Sequence, residues 1–283
     1  MPSKNVITLY GFGYVGQAVW RFLKEHYQVN VCDPHIADDA IETHGADLKP
    51  HQQISDLPPS DYAVICVPTP MGKTGAADTT TVKQIIKDSN HKWHLIKSTI
   101  PPGTTQELIK ATKKQIAFSP EYIGEGGGSK YEVPFWQGYP HPTNMKLHQF
   151  HIFGGARVVT KKWVEVWQKV AGWGPTYAQT DSTTAELVKY MENSYLATKK
   201  IFCDEFYDIA GALGVDYNEL KELWLLDGRM GRAMTLIYPD SRGFTGKCLP
   251  KDVSAIIKRA EAAGYSPKLL KQVMATNKRL RKK

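Results

Sequence analysis

The stretch GFTGKCLPKD, residues 243–252, sets a cysteine behind two glycines and in front of Pro-Lys-Asp. Glycines let a substrate come close to Cys248. Lys251, or the N-terminus of a helix starting near Pro250, would lower the pKa of its thiol. A thiolate of that kind adds to carbonyl carbon and forms covalent intermediates. The competing reading is a small buried apolar side chain, the commoner fate of a cytosolic cysteine. A second stretch, GFGYVG, places Gly11, Gly13 and Gly16 in the GxGxxG pattern between a strand-like run and a helix-like run. Asp33 follows 22 positions after Gly11, at the end of the next strand-like run. That arrangement is the dinucleotide fingerprint. Gly11 permits a tight turn, Gly13 lets backbone approach a pyrophosphate, and Gly16 permits close packing of helix on strand. Phosphate oxygens then meet the N–H groups of the helix start. A carboxylate at Asp33 accepts from ribose hydroxyls and repels a 2′-phosphate, so NAD is expected rather than NADP.

The elements that must position these groups follow from periodicity. Short β-rich runs at 5–10, 28–33, 62–68, 94–99, 115–120 and 150–155 alternate with helical patterns after Gly13 and at 79–89, 104–114 and 158–172. Alternation of this kind predicts a Rossmann-type, doubly wound parallel sheet with helices on both faces, over residues 1–180. From residue 181 onward only helical signals appear, which predicts an all-helical domain over 181–283. Asp181 or Ser182 starts its first helix and Gly211 or Gly214 stops it, giving one long connecting helix of roughly 30 residues. Leu187, Tyr190, Met191, Tyr195 and Phe202 on that helix need cover, and a homodimer would supply it. Cover from within the chain is the alternative.

Composition excludes several classes. The net charge is +8, and the final run NKRLRKK supplies five of the positive charges, so the rest of the chain carries +3. No general nucleic-acid partner is expected from so balanced a body. No apolar run reaches the roughly 20 residues that span a bilayer, and the N-terminus runs directly into a strand, so a cytoplasmic protein without a membrane partner is expected. Cys32, Cys66, Cys203 and Cys248 show no CxxC spacing. His148 and His151 have no acidic or cysteine neighbour in the sequence. Neither a disulfide framework nor a metal is expected.

GYVG (13–16), CVPTP (66–70), KSTIPPGTT (97–105), SPEYIGEG (119–126), ELVKYMENSYLATK (186–199) and GKCLPKD (246–252) occur in one order along the chain. In that order they resemble the UDP-glucose/GDP-mannose dehydrogenase family. The resemblance implies NAD-dependent oxidation of the C6 alcohol of a nucleotide sugar to the carboxylate, of the UDP-glucose to UDP-glucuronate type. It implies two hydride transfers through a thioester on Cys248. It also implies that Lys189 and Asn193, one helical turn apart, donate to the substrate oxygen, a role that spacing alone would not distinguish from a wet surface pair. Glu125 is implied as the base that activates water, with Glu121 beside it and with Thr99 and Asp252 organising water and oxyanion. A loop of solvated carboxylates is the competing reading of the two glutamates. For the cofactor the resemblance adds Tyr14, Val15, Val67, Pro68, Thr69 and Thr99 to the glycines and Asp33. For the substrate it adds Tyr122, Arg229 and Gly243 to Glu121, Lys189 and Asn193. Arg229 and Arg242 are expected to meet substrate phosphate or a partner subunit.

The chain also departs from the family pattern. Thr245 and Lys247 stand where many members have Gly and Ser, Gly124 replaces a basic residue, and residues 126–149 are unusually rich in Gly, Pro and aromatics. Members continue into a second nucleotide-binding domain that this chain is expected to lack, unless a separate polypeptide supplies it. Two other functions remain open on the sequence: a single-hydride NAD-dependent dehydrogenase of a hydroxy acid or sugar acid, and an NAD-binding module without turnover.

Overall fold

The computed structural model describes residues 6–36, 49–51, 53–123 and 144–282. The chain divides into two compact units, one of Met1–Thr69 with Asp78–Lys189, the other of Pro70–Ala77 with Tyr190–Lys283.

The first unit is built on one sheet. Its strands are β1 (Val6–Tyr10), β2 (Gln28–Cys32), β3 (Lys49–His51), β4 (Tyr62–Ile65), β5 (Trp93–Ile96), β6 (Gln115–Phe118), β7 (Phe150–Gly154) and β8 (Thr176–Thr180). They lie in the order β3-β2-β1-β4-β5-β6-β7-β8. The helices α1 (Tyr14–Leu23), α2 (Thr80–Asp88), α3 (Thr104–Thr112) and α4 (Arg157–Ala171) connect them. Strand residues alternate between two cores, as a period of two requires. Ile7, Leu9, Val64, Leu95 and Ala117 pack with α1 and α4, through Val19, Trp20, Trp163 and Trp167. Tyr10, Ala63, Ile65, Ile96 and Phe118 pack on the other face with Val82 and Ile86 of α2 and Leu108 of α3. A sheet buried on both faces explains why these strands read as near-continuous apolar runs.

The expected parallel sheet carries one antiparallel pairing. β3 through β6 are parallel in sequence of pairing, but β7 meets β6 antiparallel, with Phe118 opposite Gly154. β8 then runs parallel to β7, because α4 carries the chain over the sheet between them. Neither β8 nor β3 is marked in the sequence reading. β3 is three residues containing a proline, and it lies at the sheet edge where a missing N–H is tolerated.

Helices make up the second unit, and the first of them, α5 (Ser182–Ala212), begins in the first unit. Its 31 residues span about 46 Å at 1.5 Å per residue. Asp181 caps it, its carboxylate accepting from the Thr184 N–H at 2.9 Å. There follow α6 (Tyr217–Trp224), α7 (Leu249–Ala262) and α8 (Lys268–Leu280). Ala197 and Ile201 of α5, Val253 and Ile257 of α7, Val273 and Leu280 of α8, and Phe244 form their common core. Tyr190 is buried, whereas Met191, Tyr195 and Phe202 stay exposed along α5. Among the described residues no helix is long and apolar enough to cross a membrane.

Candidate functional site

The glycine loop lies between β1 and α1, where the strand order turns from β1 outward in both directions. Ligands of doubly wound sheets bind at such switch points, beyond the carboxyl ends of the strands. Gly11 has φ +88°, and a Cβ there would stand 2.9 Å from the Cys66 carbonyl group. On Gly16 a Cβ would fall 2.0 Å from the Gly11 carbonyl oxygen, so both positions exclude any side chain. Gly13 differs: a Cβ would meet nothing within 4 Å. It is the N-cap of α1 and offers no side-chain cap to the first N–H groups of the helix. The donor set fits a pyrophosphate. Tyr14 is exposed and Val15 half-buried beside it.

Asp33 does more than the sequence indicates. One carboxylate oxygen accepts from the Phe12 N–H of the glycine loop at 2.7 Å, the other from the His35 N–H at 2.8 Å. Each oxygen keeps a lone pair for a ribose hydroxyl, so the residue both braces the loop and remains able to read the sugar. Beyond β4 and β5 the two strand ends are cross-tied. Thr69 donates to the Thr99 carbonyl at 2.7 Å and Ser98 donates to the Val67 carbonyl at 2.7 Å. Pro68 is exposed on the rim. These ties hold Val67, Pro68, Thr69 and Thr99 as one wall in the first unit.

Glu121, Tyr122 and Lys189 come together in the same unit. The Lys189 ammonium lies 3.7 Å from Glu121 Oε1 and 5.4 Å from the centre of the Tyr122 ring. Glu121 Oε2 accepts from the Ile123 N–H at 2.7 Å, which fixes the carboxylate on its loop. Glu125 lies outside the described residues. Two groups missed by the sequence reading support this set. Lys97, the first residue of KSTIPPGTT, is buried and donates to Ser119 Oγ and the Pro120 carbonyl at 3.3 Å each. It thereby ties the end of β5 to the loop that carries Glu121. Burial lowers its pKa to about 8, against the opposing pull of Glu121. Cys66 is itself pushed up to about 12 by burial, a neutral thiol. Glu186, one turn before Lys189 on α5, is fully buried and accepts from the Gly103 N–H at 2.6 Å and the Thr105 N–H at 2.9 Å. It thus caps α3 from another helix. Burial raises its carboxyl to about 7, although those hydrogen bonds oppose the rise.

The second unit holds the other expected residues. Cys248 is solvent-exposed and stands at the N-cap of α7, so it is no buried apolar thiol. One turn later Asp252 is 1% exposed, with both oxygens engaged. It accepts from Asn193 Nδ2 at 2.6 Å and pairs with the Lys251 ammonium at 2.5 Å. Asn193 therefore turns its donor toward Asp252, one turn along α5 from Lys189. Both arginines are paired within the second unit. Arg242 is held by Asp204 at 2.6 Å and Asp208 at 2.9 Å and stacks on Tyr207, so its charge is consumed within the unit. Arg229 is exposed and forks onto Asp227, two residues away, within its own turn. Gly243 is buried, and its N–H donates to Asp204 at 3.0 Å.

Residues 37–130 match the sequence model of the UDP-glucose/GDP-mannose dehydrogenase family, NAD binding domain, and residues 183–279 match that of the same family's central domain. Together they cover more than half of the chain. The chain belongs to the UDP-glucose/GDP-mannose dehydrogenase family. Its cofactor is accordingly NAD. UDP-glucose 6-dehydrogenase TuaD of Bacillus subtilis is 32% identical, over 78% of this chain and 47% of that protein. UDP-glucose 6-dehydrogenase AglM of Haloferax volcanii is 27% identical, over 96% of this chain and 69% of its own. Among solved structures, a UDP-glucose dehydrogenase from the hyperthermophilic archaeon Pyrobaculum islandicum superposes with a TM-score of 0.76 at 25% identity, over 98% of this chain and 69% of that one. The chain spans about half the length of the first of these relatives.

Proposed function

We propose that this member of the family oxidises the primary alcohol of a nucleotide sugar to the carboxylate, by two hydride transfers and through a thioester on Cys248. The observation that carries the reading is the exposed Cys248 at the N-cap of α7, followed one turn later by the buried Asp252 that orients Asn193 and Lys251. NAD, when bound, accepts the hydrides, one molecule for each. Loss of the first hydride and the hydroxyl proton leaves an aldehyde. The Cys248 thiolate adds to its carbon, and the resulting alkoxide takes a proton to give a thiohemiacetal. Loss of the second hydride and of that hydroxyl proton gives the thioester. Water then adds, the carbon–sulfur bond breaks, and carboxylate and thiolate leave. Lys189 and Asn193 donate to the substrate oxygen while it carries negative charge, and Thr99 assists. Glu125 draws the proton from water, and Glu121 holds Lys189 in place. Tyr122 lines the sugar side, and Arg229 completes the substrate set.

NADH formed per sugar nucleotide, for the wild type and Cys248→Ala, tests the reading with UDP-glucose, other UDP-sugars and GDP-mannose. Two NADH per substrate, lost in the variant, is the expected result. One NADH with no effect of the substitution would overturn the thioester and leave a single-hydride dehydrogenase. NAD binding without NADH on every sugar nucleotide would overturn the activity itself.

A further inference from the structure

The connection that leads into Cys248 is gripped by two helices, and a single carboxamide closes the grip. We propose that Asn277 of α8 is a positioning residue for Cys248: it holds the Phe244 peptide from both sides and so fixes one foot of the arch that carries the thiol. Asn277 Oδ1 accepts from the Phe244 N–H at 2.7 Å, and Nδ2 donates to the Phe244 carbonyl at 3.1 Å. The pairing sets the orientation of the amide, since the reverse would oppose donor to donor. The preceding N–H, of Gly243, donates to Asp204 on α5. Two consecutive peptide groups are thus consumed by helices far apart in sequence. The contact also dictates a glycine. Gly243 has φ +74°, and a Cβ there would stand 2.4 Å from Asn277 Oδ1.

Burial follows the same pattern. Asn277 is 7% exposed, unusual for an asparagine, and Phe244 is set into the core between α5, α7 and α8. Thr245, Gly246, Lys247 and Cys248 are all exposed, and the chain re-enters at Leu249 as the first residue of α7. A four-residue arch has only two feet. Asn277 secures the first and α7 is the second. Freeing one foot moves the thiol without unfolding either helix, and a misplacement of about 1 Å costs on the order of 100-fold in rate.

This inference rests on the reading of Cys248 as the reacting thiol, and its test keeps the two apart. In the full chain, Asn277→Ala is expected to lower kcat at least tenfold with KM and the NAD affinity within twofold. Labelling of Cys248 by iodoacetamide, followed by peptide mass spectrometry, should rise at least threefold. Cys203, buried in the same unit, should stay unlabelled, which separates a loosened arch from a loosened unit. Asn277→Asp should recover kcat as the pH falls, because only the protonated acid can donate to the Phe244 carbonyl. Should Asn277→Ala fail to fold, Gly243→Ala attacks the same contact from the loop side. Combined with Asn277→Asp it should add nothing. Unchanged kcat and unchanged Cys248 labelling in Asn277→Ala would overturn the proposal, as would additive losses in the double variant. A wild type inactive on all sugar nucleotides would sink the function, while the labelling comparison would still decide the clamp.

Discussion

Glu186 offers a direct test of which force governs a buried carboxyl in this fold. Two effects oppose each other there. Two backbone N–H groups at the start of α3 favour the carboxylate, and complete burial favours the neutral acid. Burial wins, and the carboxyl moves from 4.5 to about 7. The folded chain therefore holds this proton more tightly than the unfolded chain does. The stability so gained is fully present below pH 4.5 and is lost as the pH rises through 7. At 1.36 kcal/mol per pH unit the loss is about 3 kcal/mol. Glu186→Gln has no proton to lose; its amide Nε2 cannot accept from the second N–H as a carboxyl oxygen does, so the variant carries a penalty that does not change with pH. Urea unfolding of both proteins from pH 4.5 to 8.5 is the assay. Whatever that fixed offset, the wild type should lose up to about 3 kcal/mol relative to the Gln variant between pH 4.5 and pH 8.5. Equal pH slopes would refute the reasoning, as would a Gln variant that weakens toward alkaline pH. Either result would mean that the α3 N–H groups outweigh burial and that the group is a carboxylate at neutral pH.

Asp33→Ala removes both the ribose acceptor and the brace on the Phe12 N–H. A hydrogen bond to a charged group is worth about 1.5–3 kcal/mol, so NAD affinity should fall roughly 10- to 100-fold, measured by calorimetric titration. An affinity within twofold of wild type would show that neither contact matters to the cofactor. We also propose that Met191, Tyr195 and Phe202, 75%, 62% and 46% exposed on α5, meet a second copy of the chain. Sedimentation should find a dimer that Met191→Asp with Tyr195→Asp converts to monomer; a monomeric wild type at micromolar concentration would exclude it.

What the sequence makes legible is whatever depends on side-chain type at a fixed spacing. Gly11 and Gly16 are such cases, because the close approaches they allow exclude every other residue. So are the strands, since burial on both faces writes an apolar run, and α5, whose cap and stop are local. β8 is legible in its TYAQT alternation, whereas three-residue β3 carries no pattern at all. Arg242 meets a related limit: in sequence a guanidinium near a ligand and one between two aspartates look alike, and Asp204 and Asp208 arrive from α5. The residues missed altogether share a chemistry. Lys97, Glu186 and Asn277 each bind backbone, through the Pro120 carbonyl, the Gly103 and Thr105 N–H groups, and the Phe244 peptide. A backbone partner leaves no complementary side chain to notice. Such a polar residue, on a helix (Glu186, Asn277) or just past a strand (Lys97), reads as surface, although all three are buried. Each also stands beside a segment that carries an expected site residue: Glu121, Lys189 and Cys248. The local pattern of a helix therefore says which face is apolar, and only the tertiary fold says which polar residue on it has a backbone to hold.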